Sequence, residues 1–299
     1  MNTEQQTQQP LTTMLFTNAR DETCLIEWIV HHLQLGFTHI HIFDHLSIVP
    51  IQFALQEFLC SPFVCGKVTV QRVDWTTTVK IKCMMTAVYI ANDLAQHSKV
   101  DWIMYLDADE FVVLNNNTSV SDLLLKQSKL CPFARSFAVN WLCFGTNELR
   151  DVPEWPYLIV DTYTRSAKTL DKHVKSFVRP EFIVQVSNPH FYHVTPPSHD
   201  NTGMYSIEGF LLLHSEQGEY YYCPHLAHTT CEEVTAFIAH YIHQAESRYK
   251  QRKLDLPRDD TNEVRACEAD VHALYNDIEN HHVQQKYACT LRQLFGMPT

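Results

Sequence analysis

A chain of 299 residues with 45% hydrophobic side chains carries enough apolar mass for a full core, which excludes a mainly disordered protein and allows one large α/β domain, with or without a helical appendage. Its 34 acidic against 23 basic residues leave a formal charge of −11 with no long basic run, which argues against duplex nucleic acid or an anionic membrane as the main partner. A small anionic substrate stays compatible with that charge, because a bound cation reverses the sign locally.

Met1 to Pro10 is rich in Gln and Thr and lacks a charged start followed by an apolar core, so no signal peptide is expected. No apolar run approaches the roughly 20 residues that span a bilayer. Ten irregularly spaced cysteines, several inside apolar runs, have the pattern of reduced, packed thiols. These features predict a cytoplasmic protein.

In chain order, Thr12 to Thr17 reads as a strand, followed by a polar break at Asn18 to Glu22. From Thr23 to Gly36 the positions Leu25, Trp28, Ile29, His32 and Leu35 recur at three and four, predicting a helix that Gly36 stops. Thr38 to Phe43 alternates and ends at Asp44, so the opening is β-α-β. A short helix over Pro50 to Cys60, a strand over Lys67 to Val73 and a helix from about Thr78 to His97 follow. The last of these has Met84, Ala87, Val88, Ala91, Leu94 and Ala95 as its buried stripe.

Trp102 to Leu106 is almost free of polar groups, as a strand buried on both faces would be, and it delivers Asp107, Asp109 and Glu110 together. Ligands of open α/β sheets bind beyond the carboxyl ends of such strands. Three adjacent anions repel one another unless a cation shares them, and oxygen-only ligands favour Mg²⁺ or Mn²⁺. The simpler alternative is a solvated turn.

Beyond Leu114 a helix is expected over Ser121 to Leu130 and a strand over Arg135 to Phe144. Further strands are expected over Leu158 to Thr164 and Lys175 to Val178, in a mixed or antiparallel half. Pro189 to Tyr205 reads as a polar loop, and helices are expected at about 231–252 and 261–280.

Several segments in order resemble family 92 glycosyltransferases and their family 2-like relatives. Glu27-Trp28, Leu35-Gly36-Phe37 and Ile42-Phe43-Asp44 are similar to the opening "EW…H…LGF…YDN". Trp102 to Phe111 is similar to "W…LDxDEF", Trp141 to Thr146 to "W…FGS", and Lys175 to Pro180 to "KSIVRP" with a histidine following. The chain departs from the pattern at Arg20-Asp21-Glu22, at Phe43 to Ser47, and at His228 to Val234, set against "HYxxKSxEEF".

The resemblance implies a GT-A fold: a Rossmann-like nucleotide-binding half, a mixed-sheet acceptor half and a helical C-terminal region. The corresponding division is a leader at 1–11, a catalytic domain at 12–230 (nucleotide-sugar half 12–114, acceptor half 115–230) and a helical extension at 231–299. It implies a nucleotide-sugar donor, UDP-linked, a glycan or glycoprotein acceptor, and inverting transfer assisted by Mn²⁺ or Mg²⁺. Asp107 and Asp109 become the metal pair, with His190 or His193 a candidate third ligand. Asp44 becomes a candidate nucleotide contact, Arg20 and Lys82 candidate diphosphate contacts, and Trp141 and Gly145 lining of the sugar pocket. The candidates for the base are Asp200, Glu148 and Asp151. Each has a plain structural reading as well, as turn, solvated charge or core. The expected lack of a signal peptide and membrane anchor fits a bacterial or viral enzyme. A second reading is a non-catalytic nucleotide- or zinc-binding α/β protein, with Cys223, His225, His228 and Cys231 as possible zinc ligands.

Overall fold

The computed structural model describes residues 11–94, 99–212, 223–255 and 270–298, so the expected leader lies almost wholly outside the described residues. A mixed nine-stranded sheet organises them. Its first part is β1 (Thr13–Ala19), α1 (Leu25–Gln34), β2 (His39–His45), two short helices α2 (Ile51–Ala54) and α3 (Gln56–Leu59), β3 (Val68–Val73), α4 (Val79–Leu94) and β4 (Trp102–Tyr105). β3, β2, β1 and β4 lie side by side and parallel, as β-α-β repetition requires. Every residue of β1 and β4 is buried, which explains their nearly continuous apolar sequence. Helix α1 buries Trp28, Ile29 and Leu33 and ends where Gly36 takes φ +90°, a conformation that favours glycine. The Trp28 indole donates to Glu110 O at 2.7 Å, tying this helix to the segment after the acids.

The second part contains β5 (Glu110–Leu114), α5 (Val120–Leu130), β6 (Ser136–Cys143), α6 (Ile159–Thr162), β7 (Arg165–Ser166), β8 (Val174–Val178), the hairpin β9 (Ile183–Asn188) and β10 (Phe191–Val194), and β11 (Met204–Ser206). It ends with β12 (Ala236–His240), α7 (Glu246–Tyr249), β13 (Ile278–Glu279) and α8 (His282–Leu294). β8 pairs antiparallel with both β4 and β6. β12 lies between β6, to which it is parallel, and β5, to which it is antiparallel. The result is the expected α/β architecture, consistent with a GT-A fold: a parallel half joined to a mixed half through β4 and β8. No described helix is long and apolar enough to cross a membrane. The nine described cysteines are free thiols.

Four local expectations are corrected. The strand expected over Leu158 to Thr164 is helix α6, because the buried Glu27 carboxyl group accepts from Ile159 N at 2.7 Å and Val160 N at 3.1 Å. A tertiary cap thus overrides β-branched propensity. The helix expected at 231–252 is broken by strand β12, whose residues are all buried between two strands: a single 3-10 turn at Cys231–Glu233 precedes it and continuous helix starts only at Glu246. Of the helix expected at 261–280, residues 261–269 lie outside the described residues and the remainder holds a single helical turn and β13, while the real C-terminal helix is α8. The polar loop of 189–205 contains β10 and the start of β11.

Candidate active site

The acids follow from the break between β4 and β5. Asp107 to Glu110 form a tight turn closed by Glu110 N donating to Asp107 O at 3.0 Å, and Glu110 Oε2 accepts from Asp107 N at 2.9 Å. The turn lies at the carboxyl end of a parallel strand, as anticipated. Asp109 and Glu110 are fully buried, and only Asp107 keeps some exposure.

Cations from three distant segments converge there. Lys80, in the first turn of α4, reaches Asp107 Oδ1 at 2.7 Å, and Lys175 of β8 lies 3.5 Å from both Asp107 Oδ2 and Glu110 Oε2. Arg252 bridges Asp109 Oδ2 at 2.9 Å and Glu22 Oε1 at 3.2 Å, Lys253 stands 3.8 Å from Asp109, and Arg248 reaches Glu22 at 2.9 Å. Burial alone would raise the Asp107 carboxyl, but Lys175 and Lys80 hold it well below the usual range. Against the same penalty of burial, Arg252 and then Lys253 hold Asp109 well below that range. Burial pushes Glu110 up to about 8, with Lys175 opposing and the two aspartates assisting, so it is mostly protonated at neutral pH. The ionised aspartates are therefore outnumbered by Lys80, Lys175, Arg252 and Lys253, and an acidic chain presents a locally electropositive centre.

Asp109 Oδ1, Glu110 Oε1 and His240 Nδ1 are buried in this centre without a hydrogen-bond partner, and His240 Nε2 lies 3.7 Å from Asp109 Oδ1. Burial drives the His240 ring down to about 3, leaving a neutral imidazole. A carboxylate oxygen and a neutral imidazole nitrogen are suitable donors for Mn²⁺. Among the described residues no three His, Cys, Asp or Glu side chains converge into a cage. A sparse donor set nevertheless fits an ion of this class, which keeps waters and takes substrate phosphates as its other ligands.

Trp141 lines the next space. Its buried ring contacts His240 at 4.3 Å, His190 at 5.1 Å and His173 at 5.2 Å between centroids. The His190 ring, pushed down to about 3 by burial and then by Lys175 and Lys80, sits near the centre without joining a ligand group. His193 lies on β10 and pairs with Ser187 Oγ at 2.7 Å.

The other expected residues take structural tasks or stand apart. The Asp44 carboxylate is buried, accepts from Ser47 N and Ile51 N, and pairs with Arg72 at 2.9 Å, so it shapes the 44–51 loop. Arg20 donates to His45 O at 3.1 Å, and Lys82 reaches Thr77 Oγ1 at 3.4 Å, whereas Lys80 touches the acids. A Cβ on Gly145 would lie 2.5 Å from the Asn276 amide, so the absent side chain there makes room for Asn276. Asp200 is essentially fully exposed beside His199, and Glu148 and Asp151 are exposed. No hydrogen bond or ion pair among the described residues joins these three to Asp107 or Asp109. Nor do Cys223, His225, His228 and Cys231 converge: Cys223 contacts His225 at 3.3 Å, while Cys231 meets Asn280 at 3.6 Å.

Sequence reasoning missed Lys80, His240, Arg252 and Lys253. A signal for His240 existed: His240-Tyr241 supplies the His-Tyr pair of the "HYxxKSxEEF" pattern that was set against His228. The three cations had none, since Lys and Arg residues on a helical segment read as solvated charge.

The profile of glycosyltransferase family 92 matches residues 13–286. A glycosyltransferase family 92 protein of Ricinus communis is 24% identical over 172 residues, which are 57% of this chain and 29% of that protein. The chain thus spans under a third of that relative's length. Among solved structures, a UDP-glucose pyrophosphorylase complexed with UDP-glucose aligns at 9% identity and a TM-score of 0.34, covering 77% of this chain and 90% of that one, a likeness too loose to bear on donor choice.

Proposed function

The chain belongs to glycosyltransferase family 92, and from that premise we propose that it transfers a sugar from a nucleotide-diphosphate donor, UDP-linked, to a hydroxyl of a glycan or glycoprotein, with inversion. The observation that carries this reading is the cation-ringed pair Asp107 and Asp109 at the carboxyl end of β4. Transfer leaves a nucleoside diphosphate that gains negative charge as the glycosidic bond breaks, and an electropositive buried centre stabilises that charge. Lys80, Lys175, Arg252 and Lys253 neutralise the aspartates in the resting protein. With donor in place, the same ammonium and guanidinium groups are positioned to bind phosphate oxygens, and low local dielectric strengthens those contacts. Asp109 and His240 would offer the protein donors to a divalent ion, which when bound supplies Lewis-acid stabilisation of the diphosphate. Trp141, packed against His173, His190 and His240, forms the apolar wall beside that centre.

The test is turnover of a panel of UDP- and GDP-sugars with Mn²⁺ by the full chain, repeated with Asp107→Asn and Asp109→Asn. The reading expects turnover of at least one donor and its loss in both variants. Wild-type protein that neither turns over any donor nor binds UDP would remove it and leave the non-catalytic alternative.

A further inference from the structure

None of the carboxylates expected to act as base is linked to the centre, and the acids at the centre are poor proton acceptors because they are held in ion pairs or buried. A different group is built into the wall beside Trp141. The chain before β8 is stitched to β6 by two main-chain bonds, Asp171 N to Trp141 O at 2.7 Å and Trp141 N to His173 O at 3.0 Å. Within this turn Asp171 Oδ1 accepts from His173 N at 2.8 Å and lies 2.5 Å from His173 Nδ1. Burial would raise the Asp171 carboxyl, but the hydrogen bonds from His173 hold it below its ordinary value. An ionised partner on Nδ1 fixes that nitrogen as the proton carrier and leaves Nε2 as the basic one.

The position suits acid–base work as well. His173 stacks on Trp141 with planes 19° apart, and both Asp171 and His173 keep about a third of their side-chain surface exposed, so a solute can reach them. His173 lies two residues before Lys175, and residues two apart along an extended chain share a face. Lys175 points to Asp107, so His173 opens on the same side, roughly 7 Å along the chain. Trp141 contacts both His173 and His240, and His240 lies 3.7 Å from Asp109. Among the described residues, the charged and titratable groups around His173 are Asp171 and Lys172 in its own turn, Lys175 on β8 and His190 beside the hairpin, at 5.4 Å.

We propose that His173, oriented by Asp171, is the catalytic base that takes the proton of the acceptor hydroxyl. The inference rests on the transfer reaction proposed above. In that step the acceptor O–H proton passes to His173 Nε2 and the oxygen's electron pair forms the new bond to the anomeric carbon. The bond from that carbon to the diphosphate oxygen breaks, and its pair leaves with the nucleoside diphosphate. The imidazolium then returns its proton to solvent. Asp171 acts as a positioning residue.

The experiment measures kcat with the donor that wild type turns over, UDP binding with Mn²⁺ by calorimetry, and circular dichroism, for His173→Gln, His173→Ala and Asp171→Asn. Both His173 variants are expected to lose about 100-fold or more in kcat while UDP binding stays within about threefold. Asp171→Asn is expected to lose at least about tenfold and to move the acid limb of the wild-type pH profile, a limb absent from His173→Gln. Added imidazole is expected to restore part of the activity of His173→Ala, which a folding defect would not allow. Retention of kcat in His173→Gln overturns the assignment and leaves the transfer reaction intact. Loss of kcat together with UDP binding, or failure of imidazole to rescue His173→Ala, also overturns it. Absence of any wild-type turnover overturns both readings.

Discussion

Arg252 donates to Asp109 at 2.9 Å across 143 residues of chain, so the segment after α7 completes the electrostatics of a turn built by β4 and β5. Breaking a buried pair by removing one partner leaves an uncompensated charge. Replacing Arg252 with Met is expected to lower stability by about 3 kcal/mol in urea unfolding. The double variant with Asp109→Asn should lose less than the sum of the singles. Strict additivity would show that the pair is not coupled.

The depressed carboxyls set an acid limit. Asp107 and Asp109 titrate lower in the folded protein than in the unfolded chain, where aspartate lies near 3.9. Their contribution to stability is therefore present above about pH 4 and is lost as pH falls toward their folded values. Unfolding midpoints should fall steeply below pH 4 in wild type and less steeply in Asp107→Asn.

Glu27 carries the opposite sign. Burial pushes its carboxyl up to about 8, with the amides of Ile159 and Val160 opposing. The folded state thus holds a proton that the unfolded chain releases near pH 4.5, so this stabilising share is full below about 4.5 and is gone by about pH 8. Glu27→Gln, which removes the titrating proton and keeps an acceptor oxygen for one of the two amides, should flatten the decline between pH 5 and 8 at a lower overall stability. Glu27→Ala should instead destabilise at every pH, by about 1–2 kcal/mol for the lost cap.

Ligand binding gives a readout independent of turnover. UDP with Mn²⁺ should raise the melting temperature of wild type, because a ligand that binds only the native state stabilises it. His240→Ala should remove the Mn²⁺-dependent part of that rise, and an unchanged rise would take His240 out of the ion's ligand set. Lys80→Ala should weaken UDP binding with or without the ion, since its ammonium meets Asp107 at 2.7 Å and is positioned to take a phosphate oxygen.

At Gly145 the contact is with protein. Gly145→Ala would set a methyl 2.5 Å from the Asn276 amide and should cost about 1–3 kcal/mol, with part recovered by Asn276→Ala. A loss of UDP affinity without loss of stability would return Gly145 to the donor pocket.

The parallel half of the fold was legible because its signals are local. The stripe of α1 and the apolar runs of β1 and β4 each follow from a period within one segment, and so did the placing of Asp107 and Asp109 at a strand end. Leu158 to Thr164 failed because Glu27, far earlier in the chain, supplies the cap that makes helix α6. Ala236 to His240 failed because a strand buried between two others has the same apolar composition as a buried helix, and length and neighbours, not periodicity, separate them. By itself the sequence determined the family, the α/β class and the acidic pair. Only the tertiary structure decided which cations meet that pair and that Asp171 and His173 stand beside Trp141. Lys80, Lys175 and Arg252 are distant from Asp107 and Asp109 along the chain, and charge acquires a partner only when folding brings it within a few ångströms, a distance that no spacing in the sequence encodes.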